Sequence, residues 1–425
     1  MYADVAASSD GPEQRTNSMR LRKSAVAAFA ALLCGTYIVA SDTGTATAAP
    51  VPEFGFASLA TLASTSTSDH NAYAAQVKNV GASWVRLVVP WNNVEANRGT
   101  YNWATIDPAV LAARANGTKM LLLLTGPAPY WAQGLVGNPL SGSATPADPA
   151  TFGAFAAAAA TRYKDYASTW EIWNEPNDPT FFQSPNVPRY IQLLKAAYQA
   201  IHAAQPSAVV VTGGVTSTPA ATISETSFID QLYTNGARAF LDGIGMHPYT
   251  LPYGISDDPK HVWNDVAIAR TTMTNNGDAA KKIWVTEWGL PTGTSAYAST
   301  EAKQASRLVE ALQIAAATPY LAPLFLFTVR DLSTDTNNPD ANYGVFKSDG
   351  SPKQAAYAIR QYATGGSTPP PTTTPPTTTS PTTTPPTTTS PTTTPPTTTP
   401  PPTTTPPTPP AQNLVWVVGR LLGWW

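Results

Sequence analysis

Charge is scarce in this chain, and so is cysteine. Asp, Glu, Lys and Arg together make up 12% of its 425 residues, against about 25% in an ordinary soluble domain. The formal net charge of −2 offers no basic face for nucleic acid and no cationic patch for an anionic membrane. The only cysteine, Cys34, falls in a leader-like segment. No disulfide can therefore staple the remainder, and a large apolar core has to hold it. No His/Cys/Asp cluster has metal-ligand spacing, so no catalytic metal is expected. The first apolar run lacks a following glycine-rich phosphate loop, and no cofactor is expected either.

What is present divides the chain into four stretches. In residues 1–49, Arg20, Arg22 and Lys23 precede the uncharged run "SAVAAFAALLCGTYIVA" (24–40), and "ATA" (46–48) fits a small-residue cleavage site. The expectation is an exported, extracellular protein that loses this signal region. A retained membrane anchor is the alternative, for which the run is slightly short. Met19 is an alternative start that gives a more conventional leader. "LLCG" is a poor lipoprotein box. At the other end, residues 367–410 repeat "PTTTPPTTTS", which lacks both ladder donors and apolar side chains and reads as a polyproline-like stalk. Residues 411–425, "AQNLVWVVGRLLGWW", are too short for a folded module or a convincing span. They read either as a truncated module or as an interfacial peptide, which leaves cell-wall association open. No transmembrane segment is expected in the mature form, and the chain is expected to be a monomer.

Residues 50–366 repeat one rhythm, a short apolar run followed by a helical pattern. The strand candidates are "EFGFAS" (53–58), "SWVRLVVPW" (83–91), "KMLLLLTG" (119–126) and "STWEIWN" (168–174), then "AVVVTGG" (208–214), "DGIGMHP" (242–248), "KIWVTEWG" (282–289) and "PLFLFTV" (323–329). Near-continuous apolarity is what strands buried on both faces require. Helical stripes such as Tyr190, Leu193, Leu194, Ala197, Tyr198 and Ile201 separate them. Eight strand–helix units in this length predict an α/β (β/α)8 TIM barrel.

Active sites of such barrels lie at the C-terminal ends of the strands. Those ends carry Arg86 and Trp91, "PAPYW" with Trp131, Asn174 and Glu175, His247 and Tyr249, Glu287 and Trp288, and Arg330 and Asp331. Glu175 and Glu287 are thus predicted to meet in a cleft lined by aromatic residues. Two such carboxylates can cleave a glycosidic bond, one as acid and the other as nucleophile or base. Trp91 and Trp131 are expected to be sugar platforms, with Trp288 beside them. Trp84, Trp103 and Trp284 are read as packing, and Glu171 as a satisfied interior residue. His247 reads equally as a site residue or a core residue.

The motifs "WEIWNEPND" and "IWVTEWGLPT" resemble the fourth- and seventh-strand motifs of the retaining glycoside hydrolases with (β/α)8 barrels, the clan that includes families 5, 39 and 51. "GASWVRLVVPWNNVEANRGTYNW" (81–103), "GIGMHPY" (243–249) and "VFKSDGSPKQAAYAI" (345–359) favour the neighbourhood of families 39 and 5. The resemblance implies Glu175 as acid/base, Glu287 as nucleophile, Asn174 on the sugar 2-hydroxyl, and Arg86 and Tyr249 beside Glu287. A neighbouring guanidinium is expected to keep Glu287 ionised, while tryptophans raise Glu175. The substrate class implied is a β-linked polysaccharide or oligosaccharide. A non-catalytic carbohydrate-binding barrel and a transglycosylase are the rival readings, and the sugar, together with endo or exo action, stays open.

Overall fold

Apolar runs flanked by turn residues set the frame of the chain. The computed structural model describes residues 53–58, 66–133 and 142–365, and the expectations for the leader, the Pro/Thr-rich repeat and the tail lie outside the described residues. The strands are β1 (Phe54–Ser58), β2 (Trp84–Pro90), β3 (Lys119–Thr125), β4 (Thr169–Ile172), β5 (Val209–Thr212), a two-residue β6 (Val215–Thr216), β7 (Gly243–His247), β8 (Lys282–Val285) and β9 (Leu324–Phe327). All pair in parallel, in the order β9-β1-β2-β3-β4-β5-β7-β8, with β6 an added pairing partner of β7. Parallel bridges Ile283–Leu321 and Trp288–Leu326 link the region of β8 to that of β9. The ring therefore closes as a (β/α)8 barrel, as the sequence predicts.

Between the strands run α1 (Thr67–Asn79), the one-turn α2 (Trp91–Val94), α3 (Asp107–Ala115), α4 (Pro149–Tyr163), α5 (Val187–Ala204), α6 (Glu225–Thr234), α7 (Asn264–Asn275) and α8 (Glu301–Ala317), and α9 (Gln354–Ala363) follows the last strand. Their starts follow from local chemistry. Asp148, Asn186, Ser224 and Thr300 each accept a first-turn backbone N–H, and Pro149 and Pro188 occupy the first turns of α4 and α5.

Both strand faces are buried, but in different layers. Val85, Leu87 and Val89 of β2 face the helices, whereas Val88, with Leu121, Leu123, Val211 and Phe325, packs in a separate inner cluster. Trp84, Trp284 and Phe325 meet edge-to-face or stacked at centroid distances of 5.7–6.5 Å. The glycines at 55 and 243 make room for them, since a Cβ at either would lie 2.7 Å from Phe325 or Trp284. This aromatic plug fills the barrel interior and leaves the polar chemistry to the strand ends above it.

Candidate active site

Arg86, the third residue of β2, is almost fully buried and organises the site. Its Nε donates to Glu171 Oε2 at 2.5 Å, its Nη1 to Glu287 Oε1 at 2.6 Å, and its Nη2 to Asn174 Oδ1 at 2.9 Å. Burial works against the guanidinium charge, but Glu171 and Glu287 outweigh it, so the pKa is raised. The bond to Asn174 fixes that amide with its oxygen towards Arg86, and its nitrogen remains as a donor.

Glu175 reaches the cleft through an unusual turn. Trp173 and Glu175, immediately after β4, have φ of 70° and 41°, a region that costs a non-glycine residue about 1–3 kcal/mol. Hydrogen bonds hold the turn: Trp173 N–H donates to Leu124 O (2.8 Å), its indole to Phe181 O (2.8 Å), and Glu175 N–H to Gly214 O (3.1 Å). Gly126 leaves the space occupied by the Trp173 ring, 2.3 Å from where a Cβ would stand. An indole anchored in the core thus turns the next carboxyl into the barrel mouth.

There His247 Nδ1 lies 2.8 Å from Glu175 Oε1 and 3.9 Å from Glu287 Oε2, and Tyr249 donates to Glu287 Oε2 at 3.0 Å. Glu175, His247 and Glu287 each bring one ligand-type atom within 4.8 Å of the others. A cation could be held by three such atoms, but Arg86 already contacts Glu287 and would oppose it. Burial pushes the Glu175 carboxyl well above the usual carboxylate range, and negative Glu287 and Asp178 push it further. Glu287 is also raised by burial, though Arg86 and Tyr249 pull it back. Arg86 lowers the Glu287 value, as a neighbouring guanidinium should, and burial is the larger of the two effects. Arg86 acts on both carboxyls but touches only Glu287, so the upward push is the stronger at Glu175.

Two tryptophans depart from the sequence reading. Trp91 is fully buried: the chain enters α2 directly, and the ring stacks on Phe155 while its Nε1 donates to Glu95 Oε2 at 2.7 Å. Trp288 is likewise fully buried in the main core. Neither ring offers a face to a sugar. Trp131 keeps partial exposure, donates to Glu95 O at 3.0 Å and lies under the Arg98 guanidinium. Arg330 turns away to bond Gln76 Oε1, and Asp331 pairs with buried Lys353.

Sequence reading missed Thr286, Gly214, Asp178, whose charge raises the Glu175 carboxyl, and Thr216, whose hydrogen bond lowers it. Thr286 donates to Glu171 Oε1 and contacts His247 Nε2, both at 2.9 Å. Gly214 N–H donates to Glu171 Oε1 at 3.0 Å. The quoted motif contains Thr286, but nothing in its spacing marks the hydroxyl.

Comparison with known proteins gives the same architecture. The chain is similar in structure to a family 39 glycoside hydrolase from the gut symbiont Bacteroides cellulosilyticus WH2 (22% identity, TM-score 0.59), covering 74% of this chain and 63% of that one. A monomeric beta-xylosidase from Caulobacter crescentus CB15 is also similar (18% identity, TM-score 0.55), with 73% and 67% covered. A GH5_18 from Streptomyces cattleya in complex with GlcNAc is similar at 15% identity and a TM-score of 0.59, with 76% and 83% covered. The chain thus spans just under two thirds of the length of the family 39 structure. No curated protein matches its sequence. Residues 45–318 match the cellulase family, and on that match the chain belongs to glycosyl hydrolase family 5.

Proposed function

We propose that this glycoside hydrolase is exported and cleaves a β-linked polysaccharide or oligosaccharide with retention of configuration, using Glu175 as acid/base and Glu287 as nucleophile. The observation that carries the reading is the approach of the two carboxyl groups, whose nearest oxygens lie within 4.8 Å. Retaining enzymes hold them about 5–5.5 Å apart, inverting ones about 6.5–9.5 Å. In the first step Glu287 bonds to the anomeric carbon while the glycosidic oxygen leaves with the Glu175 proton. In the second, Glu175 takes a proton from water as its oxygen displaces Glu287. Asn174, the residue before Glu175, binds the sugar hydroxyl next to the reacting carbon. Tyr249 and Arg86 orient the nucleophile.

The charge pattern favours a neutral sugar at the reacting position. Arg86 donates to Glu171, Glu287 and Asn174, so the guanidinium is committed, while Glu171, Glu175, Asp178 and Glu287 are all acidic. A uronate would add charge of the same sign. Trp131 and the exposed Tyr130 on the loop after β3 are proposed as sugar contacts, and the chain is proposed to act as a monomer.

The test is hydrolysis of a neutral and acidic polysaccharide panel by the full chain and by residues 50–366, with Glu175→Gln and Glu287→Gln. Loss of an acid/base group is expected to lower the rate by about 10²–10⁴-fold, and loss of the nucleophile to abolish turnover. Sugar binding without hydrolysis, equal in all forms, would replace this reading with that of a carbohydrate-binding barrel.

A further inference from the structure

Four side chains behind the cleft form one continuous chain of hydrogen bonds, and its polarity is fixed at one end. Glu171 Oε2 accepts from Arg86 Nε at 2.5 Å, and Oε1 accepts from Arg86 Nη2 at 3.2 Å, Gly214 N at 3.0 Å and Thr286 Oγ1 at 2.9 Å. Surrounded by four donors, Glu171 is an acceptor only. The single hydroxyl proton of Thr286 is therefore spent on Glu171. Its oxygen can only accept from His247 Nε2, 2.9 Å away. A neutral imidazole has one N–H, so Nδ1 is left as an acceptor, and its partner at 2.8 Å is Glu175 Oε1. A doubly protonated ring would instead bury a second cation near Arg86.

We propose that Thr286 and Glu171 are positioning residues that lock His247 in its Nε2–H tautomer, so that Nδ1 accepts the Glu175 proton and keeps Glu175 in its acid form. The inference rests on the reading of Glu175 as the acid/base. The groups that face the ring are Glu175 from the β4 exit, Thr286 and Glu287 from the β8 exit, and Arg86 from β2. The lock has a consequence in each step. A hydrogen bond made only to the protonated carboxyl disfavours its ionised form. Once the proton has passed to the leaving glycosidic oxygen, the Glu175 carboxylate faces a nitrogen lone pair. It regains the hydrogen bond to Nδ1 by taking a proton from the incoming water, whose oxygen forms the new bond to the anomeric carbon as the bond to Glu287 breaks; the Thr216 hydrogen bond to Glu175 is separate from this exchange.

Two measurements on the full chain test this. In nitrogen-15 NMR of histidine-labelled protein, only four histidines give signals, and His247 is assigned by its loss in His247→Asn. The expected result is a protonated Nε2 and an unprotonated Nδ1 near neutral pH. Thr286→Val removes the acceptor, lets the ring adopt the Nδ1–H form and donate to the carboxylate, and favours the ionised acid. The basic limb of kcat/KM, measured on the fastest-cleaved p-nitrophenyl β-glycoside, is then expected to fall by about one pH unit, the size of one hydrogen bond. Thr286→Ser is expected to restore it. An Nδ1–H or doubly protonated His247 in the wild type, or an unshifted basic limb in folded Thr286→Val, would overturn the proposal. Full activity in Glu175→Gln would instead overturn the acid/base role, while the nitrogen shifts would still decide the tautomer.

Discussion

Gly214 shows how much of the site depends on single atoms. Its N–H binds Glu171, its carbonyl accepts from Glu175 N–H, and its missing Cβ makes room for the His247–Thr286 contact. An added Cβ would stand 2.2 Å from His247 Nε2 and 2.7 Å from Thr286 Oγ1. Gly214→Ala is therefore expected to displace the imidazole and lower kcat on the order of 10²-fold, as misplacement of a reacting group by about an ångström does. Kinetics on protein shown by circular dichroism to be folded would check this, and wild-type kcat would contradict it. At this scale the sequence is only partly legible. Both glutamates and Arg86 stand out because charge is rare in apolar strands. Gly214 and Thr286 do not, because a missing Cβ or the direction of a hydroxyl proton has meaning only against a particular neighbour.

Elements were easier to read than the residues at their ends. Parallel strands buried on both faces leave continuous apolar runs, so β1, β2 and β3 fall where expected. Beyond the last paired residue that regularity stops. Trp91 reads as the end of a strand and a sugar platform, yet the chain turns at once into α2 and buries the ring against Phe155. Trp288, one residue after Glu287, goes to the core. Helix packing also carries a titration the sequence does not announce. Glu225, the first residue of α6, is almost fully buried beside Asp265 of α7, and burial, then Asp265, raises its pKa well above the usual range. A raised folded-state value means its neutral form is the one the fold accommodates. That stability is fully present below the ordinary glutamate pKa of about 4.3 and is lost as pH rises through the folded value. Glu225→Gln is expected to raise Tm at pH 7–8 and to change it little at pH 4. Thermal melts at the two pH values check this, and equal shifts at both would contradict it.

At the scale of the whole molecule, the barrel brings two carboxyl groups 112 positions apart in sequence into one cluster around Arg86. The ring sets that meeting, because β4 and β8 are joined through β5 and β7 on one side and the bridges to the β9 region close the other. Strand count and order were predictable from the repeated rhythm of the sequence. The separation of the two oxygens was not, since it depends on the left-handed turn at Trp173–Glu175 and on Arg86 drawing Glu171, Asn174 and Glu287 together. Among the described residues no helix is long and apolar enough to cross a membrane, and every residue named in the site lies within the barrel.

The central claim is that Glu175 and Glu287 act as a retaining pair, and the most direct test is the anomeric configuration of the first product. Proton NMR of the full chain acting on a cleaved β-glycoside, recorded before mutarotation, is expected to show the β-anomer first. An α-anomer formed first would mean direct attack by water and would contradict Glu287 as nucleophile.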